Sequence, residues 1–170
     1  MSLTSLAKLT ARDIMKTKVL KLDPQSSLEE AVRTLSDMQI SGAPVVDRTG
    51  RLVGVLSARD IAQPEHLRDP LVGARGSRYD FPDASPDDDG SYDEDTVFSM
   101  EGYSPEVLRS GVVGDVMTAD PITVAPDATL RAICSLMSRE AIHRVIVVDN
   151  GKLVGIVTTL DVVRAVADAS

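Results

Sequence analysis

The chain has 170 residues, a net charge of −8 at pH 7 and 43% hydrophobic residues, of which few are aromatic. This length suits one domain, or two half-domains that share an aliphatic core. The single Cys134 excludes an internal disulfide and cysteine-based zinc sites, the acidic balance disfavours a nucleic-acid partner, and no apolar stretch is long enough to cross a membrane.

Residues 13–62 and 115–163 repeat one pattern, which we call the first and second copy. Met15 aligns with Met117, and Asp60 aligns with Asp161. A repeat of about fifty residues often means that one copy cannot bury its apolar face alone. The repeat therefore predicts a two-copy module whose sites lie at the seam between the copies.

Each copy shows the same order of elements: a short turn, a brief strand, an amphipathic helix, a hairpin of two strands and a final helix. The predicted fold class is therefore α/β (α+β), with a β-α-β-β-α unit used twice. In the first copy the predicted elements are a strand at Val19–Leu22, a helix from Leu28 to Met38 that is capped by Ser26 or Ser27, strands at Ala43–Val46 and Val53–Leu56, and a helix from about Ser57 that Pro64 ends.

The second copy follows the same order. Its helix carries an apolar stripe that includes Cys134 and Ala141, so we expect Cys134 in the core. The predicted strands are Ile122–Val124, Val145–Val148 and Lys152–Val157, and the final helix runs from about Thr158 to Ala167.

Residues 65–111 separate the copies and carry most of the acidity. Between residues 65 and 110 there are twelve acidic residues against four arginines, so this insert accounts for the whole net charge of −8. Low hydropathy predicts flexibility over residues 74–100. A short helix is expected from Ser104 or Pro105 to about Arg109.

Each copy places a hydroxyl residue at the end of a strand and an aspartate three positions later: Ser57 with Asp60, and Thr158 with Asp161. The simplest interpretation is a helix N-cap, with the aspartate in the first turn, where the helix dipole favours negative charge. The same arrangement can bind a ligand, because a helix start offers N–H groups to phosphate and a carboxylate can accept from ribose hydroxyls.

The paired β-α-β-β-α units and the Gly-x-x-Ser/Thr-x-x-Asp endings at Gly54 and Gly155 resemble tandem CBS domains, a CBS pair or Bateman module. The resemblance covers residues 10–64 and 112–167 and leaves out the insert 65–111. It implies two clefts related by pseudo-twofold symmetry, which bind adenosine-containing ligands such as AMP, ADP, ATP or S-adenosylmethionine.

By that resemblance each cleft is built from both copies, with the aspartates holding ribose hydroxyls and apolar residues flanking the adenine. One cleft would use Thr158, Asp161, His143, Val145 and the Lys18–Leu20 edge, with Lys18 and Leu20 as its contacts. The other would use Ser57, Arg59, Asp60, Ser41, Ala43 and the Thr118–Ile122 edge, with Thr118 and Ile122 as its contacts.

The copies differ on the phosphate side. His143-Arg144 matches a His-Arg pair that some nucleotide-binding CBS repeats place beside phosphates, whereas the first copy has Ser41-Gly42. Arg144 is therefore either a phosphate ligand, which its planar donor fork suits, or a solvated charge. Lys16 and Lys18 could add positive charge or simply be exposed. We expect the cleft with Asp161 to bind more tightly.

Two functions stay open. The first is a regulatory module that binds an adenosine nucleotide and signals to an unknown partner protein; the second is a structural module with empty clefts, whose acidic insert docks a partner. No catalytic or metal-ligand constellation is visible, so we expect no enzyme. We also expect a homodimer through the face of Leu160, Val163 and Val166, and a cytoplasmic protein without membrane insertion, because no signal-like N-terminal run is present.

Overall fold

A computed structural model describes Leu6, residues 8–62 and residues 105–168. Pro64 and the stretch 74–100, for which an early helix end and flexibility were predicted, lie outside these residues. The predicted α/β architecture is confirmed. The elements are α1 Ala11–Ile14, α2 Leu28–Asp37, β1 Gly42–Val46, β2 Leu52–Ser57, α3 Ala58–Ala62, α4 Pro105–Ser110, α5 Val113–Val116, β3 Thr118–Ala119, β4 Thr123–Val124, α6 Leu130–Glu140, β5 Arg144–Asp149, β6 Lys152–Thr158 and α7 Thr159–Ala167.

Two three-stranded sheets, in the orders β1-β2-β3 and β4-β5-β6, form the framework. The hairpins β1–β2 and β5–β6 are antiparallel, as predicted. Gly50 and Gly151 take positive φ values of 82° and 81° in the two hairpin turns, a backbone conformation that glycine adopts without steric cost. Asp47 Oδ1 accepts from the Thr49 and Arg51 N–H groups and so closes the first turn.

The two amphipathic helices begin and end alike. Ser27 Oγ accepts from the Glu30 N–H at the start of α2, and Thr129 Oγ1 accepts from the Ala132 N–H at the start of α6. Each helix ends next to a residue with a φ of 51°. In α2 this residue is Gln39, one position after the C-cap, and in α6 it is the C-cap itself, Ala141. The buried faces are Leu28, Ala31, Val32 and Leu35 in α2, and Leu130, Ile133 and Met137 in α6.

The apolar stripes predicted for the two amphipathic helices, which included Met38 in the first copy and Cys134 and Ala141 in the second, were too wide. Cys134 is exposed, so the prediction that it belongs to the core was wrong. Successive residues of a helix point about 100° apart, so when Ile133 faces the core the next residue, Cys134, points away from it. Met38, at the C-cap of α2, is 61% exposed, and Ala141 lies in the αL cap rather than on the helix face.

The most informative feature of the fold is an exchange between the copies. We call residues 10–17 and 112–119 the leading segments. Val113 and Val116 of α5 are buried in the core of the first copy, and Ala11 of α1 is buried in the core of the second. The backbone hydrogen bonds show the same exchange between the copies. The Ala11 N–H donates to the Ala128 carbonyl at 2.8 Å, and the Val113 N–H donates to the Ser26 carbonyl at 2.9 Å.

The strand edges exchange in the same way. The Lys16 N–H donates to the Ile156 carbonyl at 2.9 Å, and the Ile156 N–H donates to the Lys16 carbonyl at 3.0 Å. On the other side, Thr118 of β3 pairs with Val55 of β2. Each leading segment therefore completes the sheet of the opposite copy, so neither copy closes its core or its sheet alone.

Two methionine–glycine contacts fix this exchange. A Cβ placed on Gly155 would lie 2.6 Å from Met15 Sδ and 3.0 Å from the Lys16 carbonyl oxygen. A Cβ on Gly54 would lie 2.6 Å from Met117 Sδ and 2.9 Å from the Thr118 carbonyl oxygen. Met15 and Met117 therefore pack at the seam between the copies, and the repeated glycines are explained by the space those side chains need.

No helix in the part of the chain that the structure describes combines the length and the apolar character that a bilayer crossing requires.

We expect Gly155→Ala to lower the free energy of unfolding by about 1–3 kcal/mol, because the new methyl group overpacks a site bounded by backbone as well as by Met15. Urea unfolding monitored by circular dichroism measures this loss. Gly50→Asn is the control: a Cβ at Gly50 would meet no atom within 4 Å, and asparagine tolerates its positive φ. Equal losses in the two variants would show that Met15 does not seal the seam.

Candidate functional site

The first candidate corner lies where β2 ends and α3 begins. The Ser57 N–H and the Ser57 hydroxyl both donate to Asp60 Oδ2 at 2.7 Å. The Asp60 N–H points back to Ser57 Oγ at 3.4 Å. From the opposite copy, the Thr118 hydroxyl donates to Asp60 Oδ1 at 2.9 Å. One oxygen of the carboxylate therefore caps the helix, and the other meets the second copy.

The second corner repeats this arrangement where β6 meets α7. The Thr158 N–H and hydroxyl donate to Asp161 Oδ2 at 2.9 Å and 2.6 Å. Here the residue from the opposite copy is Lys16, whose Nζ lies 3.3 Å from Asp161 Oδ1. Arg164 Nη1 lies 4.0 Å from the same oxygen. The side chain of Asp161 is only 7% exposed, so this carboxylate is held by charge as well as by its cap.

These two corners confirm the helix-cap interpretation of the repeated hydroxyl–aspartate spacing. They also show that Thr118 and Lys16, which align in the repeat, take equivalent places. Thr118 was among the predicted site residues, whereas Lys16 was considered only as a loose positive charge. The repeat alignment could have identified Lys16, because in both copies the residue after the leading methionine faces the aspartate of the opposite copy.

Two opposing effects act on the pKa of Asp161. Burial raises the pKa, but the hydrogen bonds from the Thr158 hydroxyl and N–H and the interaction with Lys16 outweigh burial, so the pKa lies below its usual value. Asp161 is therefore an ionised acceptor at neutral pH.

The predicted residues Ser41 and His143 contribute backbone to the same corners. The Thr159 N–H and hydroxyl donate to the His143 carbonyl at 2.9 Å and 3.1 Å. The Ala58 N–H donates to the Ser41 carbonyl at 2.9 Å. These bonds fix the start of each final helix against the preceding hairpin. The His143 side chain is exposed, and Ser41 is half-buried.

A narrow apolar cleft with a cavity volume of about 20 Å³ lies between the hairpins of the two copies. It brings together the predicted residues Ala43, Ile122 and Arg144. Arg144 was predicted to belong to the cleft with Asp161, and it does lie opposite Thr158 in the β5–β6 pairing. It also lines the apolar cleft, beside Ala43 and Ile122, which were predicted to belong to the cleft with Asp60. Burial lowers the pKa of the Arg144 guanidinium from its usual value. The full lining is Gly42, Ala43, Pro44, Val55, Ile122, Arg144, Ile146 and Ile156.

The remaining predicted site residues lie away from this cleft or outside the described residues. Val145 is 1% exposed in the core of the second copy, and its neighbour Ile146 lines the cleft instead. Leu20 packs partly buried against the core of the first copy. Lys18 is exposed. The side chain of Arg59 lies outside the described part of the structure.

A second, more open cavity of about 290 Å³ lies beside the end of α6, next to His143. Its lining includes Thr159, at the first position of α7. Across residues 8–62 and 105–168, no group of three or more histidine, cysteine, aspartate or glutamate side chains is placed to hold a metal ion. The described chemistry is therefore that of two hydrogen-bonded aspartates at helix starts beside an apolar cleft.

Comparison with known proteins finds the CBS domain family model matching residues 11–64 and 113–168. An uncharacterised protein of Methanocaldococcus jannaschii, MJ1426, is 32% identical over 158 residues, with 91% of this chain and 89% of that protein covered. The chloroplastic CBS domain-containing protein CBSX2 of Arabidopsis thaliana is 31% identical over 143 residues, and the match covers 84% of this chain but 56% of that protein.

Among solved structures, CBSX2 in complex with AMP is similar to this chain with a TM-score of 0.63 and 26% identity. The similarity covers 94% of this chain and 96% of that one.

The pH dependence of the unfolding free energy tests the charge on Asp161. Because the folded pKa is below the unfolded value of about 3.9, Asp161 stabilises the fold above that value, and this contribution is lost as the pH falls through the folded pKa. We expect the unfolding free energy of Asp161→Asn to fall less steeply than that of the wild type below about pH 5.

Urea titrations at several pH values between 7 and 3 measure this slope. Thr158→Ala, which removes one donor to Asp161 but keeps the carboxylate, should give an intermediate slope. Parallel curves for wild type and Asp161→Asn would contradict the assigned charge state.

Proposed function

We propose, from the premise that this chain belongs to the CBS domain family as a tandem pair, that it binds adenosine-containing ligands and regulates a partner protein without catalysing a reaction. The observation that carries the proposal is the duplicated corner, in which an aspartate is fixed at a helix start and offers its second oxygen to the opposite copy. The complex of the related CBSX2 with AMP supports an adenosine ligand.

The geometry of each carboxylate suits a ribose diol. Oδ2 of Asp60 and of Asp161 is used by the cap, so the position of the carboxylate does not depend on a ligand. Oδ1 accepts from Thr118 or Lys16, which are side chains that can rotate away. A vicinal pair of hydroxyls can donate to Oδ1 in their place, and a carboxylate accepts such bonds strongly because it is charged.

The adenine and the phosphates would use the neighbouring surfaces. The apolar cleft that contains Ala43, Ile122 and Ile146 has walls of the character that suits a purine ring, and the two hairpins would move apart to admit it. Arg144 lines the same cleft and supplies a guanidinium for a phosphate. Among the described cations, Lys16 and Arg164 lie near Asp161, which favours an anionic ligand such as AMP, ADP or ATP there. S-adenosylmethionine is the alternative adenosine ligand.

Regulation would follow from the exchange between copies. A ligand that takes Oδ1 of Asp60 or Asp161 removes a contact between the copies and replaces it with its own contacts. If the two copies have a second arrangement that the ligand binds better, the population shifts toward it by that difference in affinity. The regulated partner would read this arrangement, and we place the module in the cytoplasm, where a lone exposed Cys134 stays reduced.

One observation favours the structural alternative. Because Thr118 and Lys16 already satisfy Oδ1 of the two aspartates, the corners can act as fixed pins between the copies with no ligand. In that case the acidic insert would supply the contact with a partner. A measurement of ligand binding distinguishes the regulatory function from the structural one.

Thermal unfolding with millimolar AMP, ADP, ATP, S-adenosylmethionine and NADH tests the ligand class. A ligand at one hundred times its Kd should stabilise the fold by about 2.7 kcal/mol and raise Tm. We expect the Tm shift with AMP and ATP to fall more in Asp161→Asn than in Asp60→Asn. Equal losses would remove the asymmetry between the clefts, and the absence of any shift with all five compounds would favour the structural alternative.

We also propose a homodimer through α7. Leu160, Val163 and Val166 are 52%, 56% and 45% exposed along one face of this helix. Sedimentation at micromolar concentration should give a dimer that Val163→Glu converts to a monomer. Met38→Glu, which alters an exposed apolar residue on another helix, should leave the dimer intact. A monomeric wild-type chain would remove this proposal.

A further inference from the structure

The apolar cleft lies between equivalent faces of the two hairpins. In the first copy Pro44 pairs with Val55 across the hairpin, and in the second copy Ile146 pairs with Ile156. These two pairs align in the repeat, and all four residues line the cleft. The cleft is therefore shared by the two copies and belongs to neither of them alone.

The next pair along each hairpin leads from the cleft to a corner. Gly42 pairs with Ser57, and Arg144 pairs with Thr158. Residues that lie directly opposite each other in antiparallel strands point to the same face of the sheet. The hydroxyls of Ser57 and Thr158, which donate to the two corner aspartates, thus lie on the cleft side of their hairpins. Both corners open onto one cleft.

The equivalence of the two sides fails at one position of this lining, where the first copy has Gly42 and the second has Arg144. A Cβ on Gly42 would lie 2.7 Å from the Leu56 carbonyl oxygen and 3.0 Å from Ser57 Cα, so the backbone admits no side chain there. Arg144 is the one charged residue among the described residues that line the cleft. A single guanidinium therefore lies in the space that both corners share.

We propose that Arg144 serves both corners and makes them compete, so that an adenosine 5′-phosphate bound with Arg144 at one corner weakens the binding of a second at the other. This inference rests on the proposed function and deepens it, because it states how the two adenosine sites regulate each other.

The chemistry of the guanidinium leads to this competition. Its donors form a planar fork that bonds one phosphate in a bidentate manner, so a second phosphate receives at most the donors that remain. Phosphates that approach Arg144 from the two corners also approach each other. Their like charges repel more strongly in a narrow apolar cleft than in bulk water. An uncharged nucleoside produces neither effect.

Single-corner variants distinguish competition from a simple difference between two sites. Asp60→Asn leaves the Asp161 corner, and Asp161→Asn leaves the Asp60 corner; in each variant asparagine keeps an oxygen that accepts the cap hydrogen bonds. Isothermal titration calorimetry with AMP gives one Kd for each variant and two for the wild-type chain. We call the second wild-type Kd, divided by the weaker single-corner Kd, the second-site ratio. Independent corners give a ratio of about one, and we expect a ratio on the order of ten.

Substitutions of Arg144 test whether it is the source of the competition. In Arg144→Ala we expect AMP to bind each corner more weakly and the second-site ratio to fall close to one. Arg144→Lys keeps the charge and should keep part of the ratio. Arg131→Ala is the matched control: Arg131 is exposed on α6 and does not line the cleft, so the ratio should not change. Circular dichroism checks folding, and Arg144→Met, which keeps an apolar stem, replaces the alanine variant if that variant does not fold.

Adenosine supplies the comparison ligand, because it has the purine and the ribose without the phosphate. We expect its second-site ratio to be near one in the wild-type chain. An equal ratio for adenosine and AMP, or a ratio for AMP that Arg144→Ala leaves unchanged, would assign the competition to crowding of the purines and overturn the role of Arg144.

The remaining outcomes separate this inference from the proposed function. A wild-type chain that binds one AMP, while both single-corner variants bind it, would be the strongest form of the expected result. A ratio of one for AMP, or a single-corner variant that binds no AMP, would overturn the competition and leave the proposed function standing. Failure of both AMP and adenosine to bind the wild-type chain at millimolar concentration would contradict the proposed function, and this inference with it.

Discussion

The structure depends on the backbone pairing between each leading segment and the final strand of the opposite copy. Lys16 and Ile156 exchange hydrogen bonds on one side of the seam, and Thr118 pairs with Val55 on the other. This pairing brings α1 and α5 into the opposite cores and seats a methionine over Gly155 and another over Gly54. It also delivers a polar side chain to each aspartate. A single exchange thus closes both cores, completes both sheets and builds both corners.

Each aspartate connects the fold with the candidate site through different oxygens. Oδ2 of Asp60 or Asp161 ends a strand and starts a helix, which fixes the carboxylate whether or not a ligand is present. Oδ1 contacts the opposite copy, through Thr118 or Lys16. A ligand that competes for Oδ1 therefore acts on the contact between copies without disturbing the cap. This division provides a physical route from binding to a rearrangement of the module.

Much of this follows from the sequence, and the exceptions have physical reasons. The period of the repeat, the hairpin turns and the spacing from Ser57 to Asp60 are local signals, so they predicted the hairpins, the amphipathic helices and the caps correctly. The strand predicted at Val19–Leu22 was wrong, because this stretch makes only an isolated bridge from Leu22 to Val45. Cys134 was misplaced because helical spacing alone does not give the width of the buried stripe. The role of Lys16 and the central position of Arg144 depend on contacts between copies more than a hundred residues apart, which periodicity does not encode.

Native-state hydrogen exchange tests the central claim, that the exchanged leading segments make the two copies one cooperative unit. The amides of Lys16 and Ile156 donate to each other's carbonyls, and the amide of Val46 donates to the Leu22 carbonyl within the first copy. We predict that all three exchange with the same free energy, equal to that of global unfolding, because neither copy closes its core without the leading segment of the other. If Lys16 and Ile156 exchange together at a much lower free energy while Val46 stays protected, the leading segments detach independently and the account is contradicted.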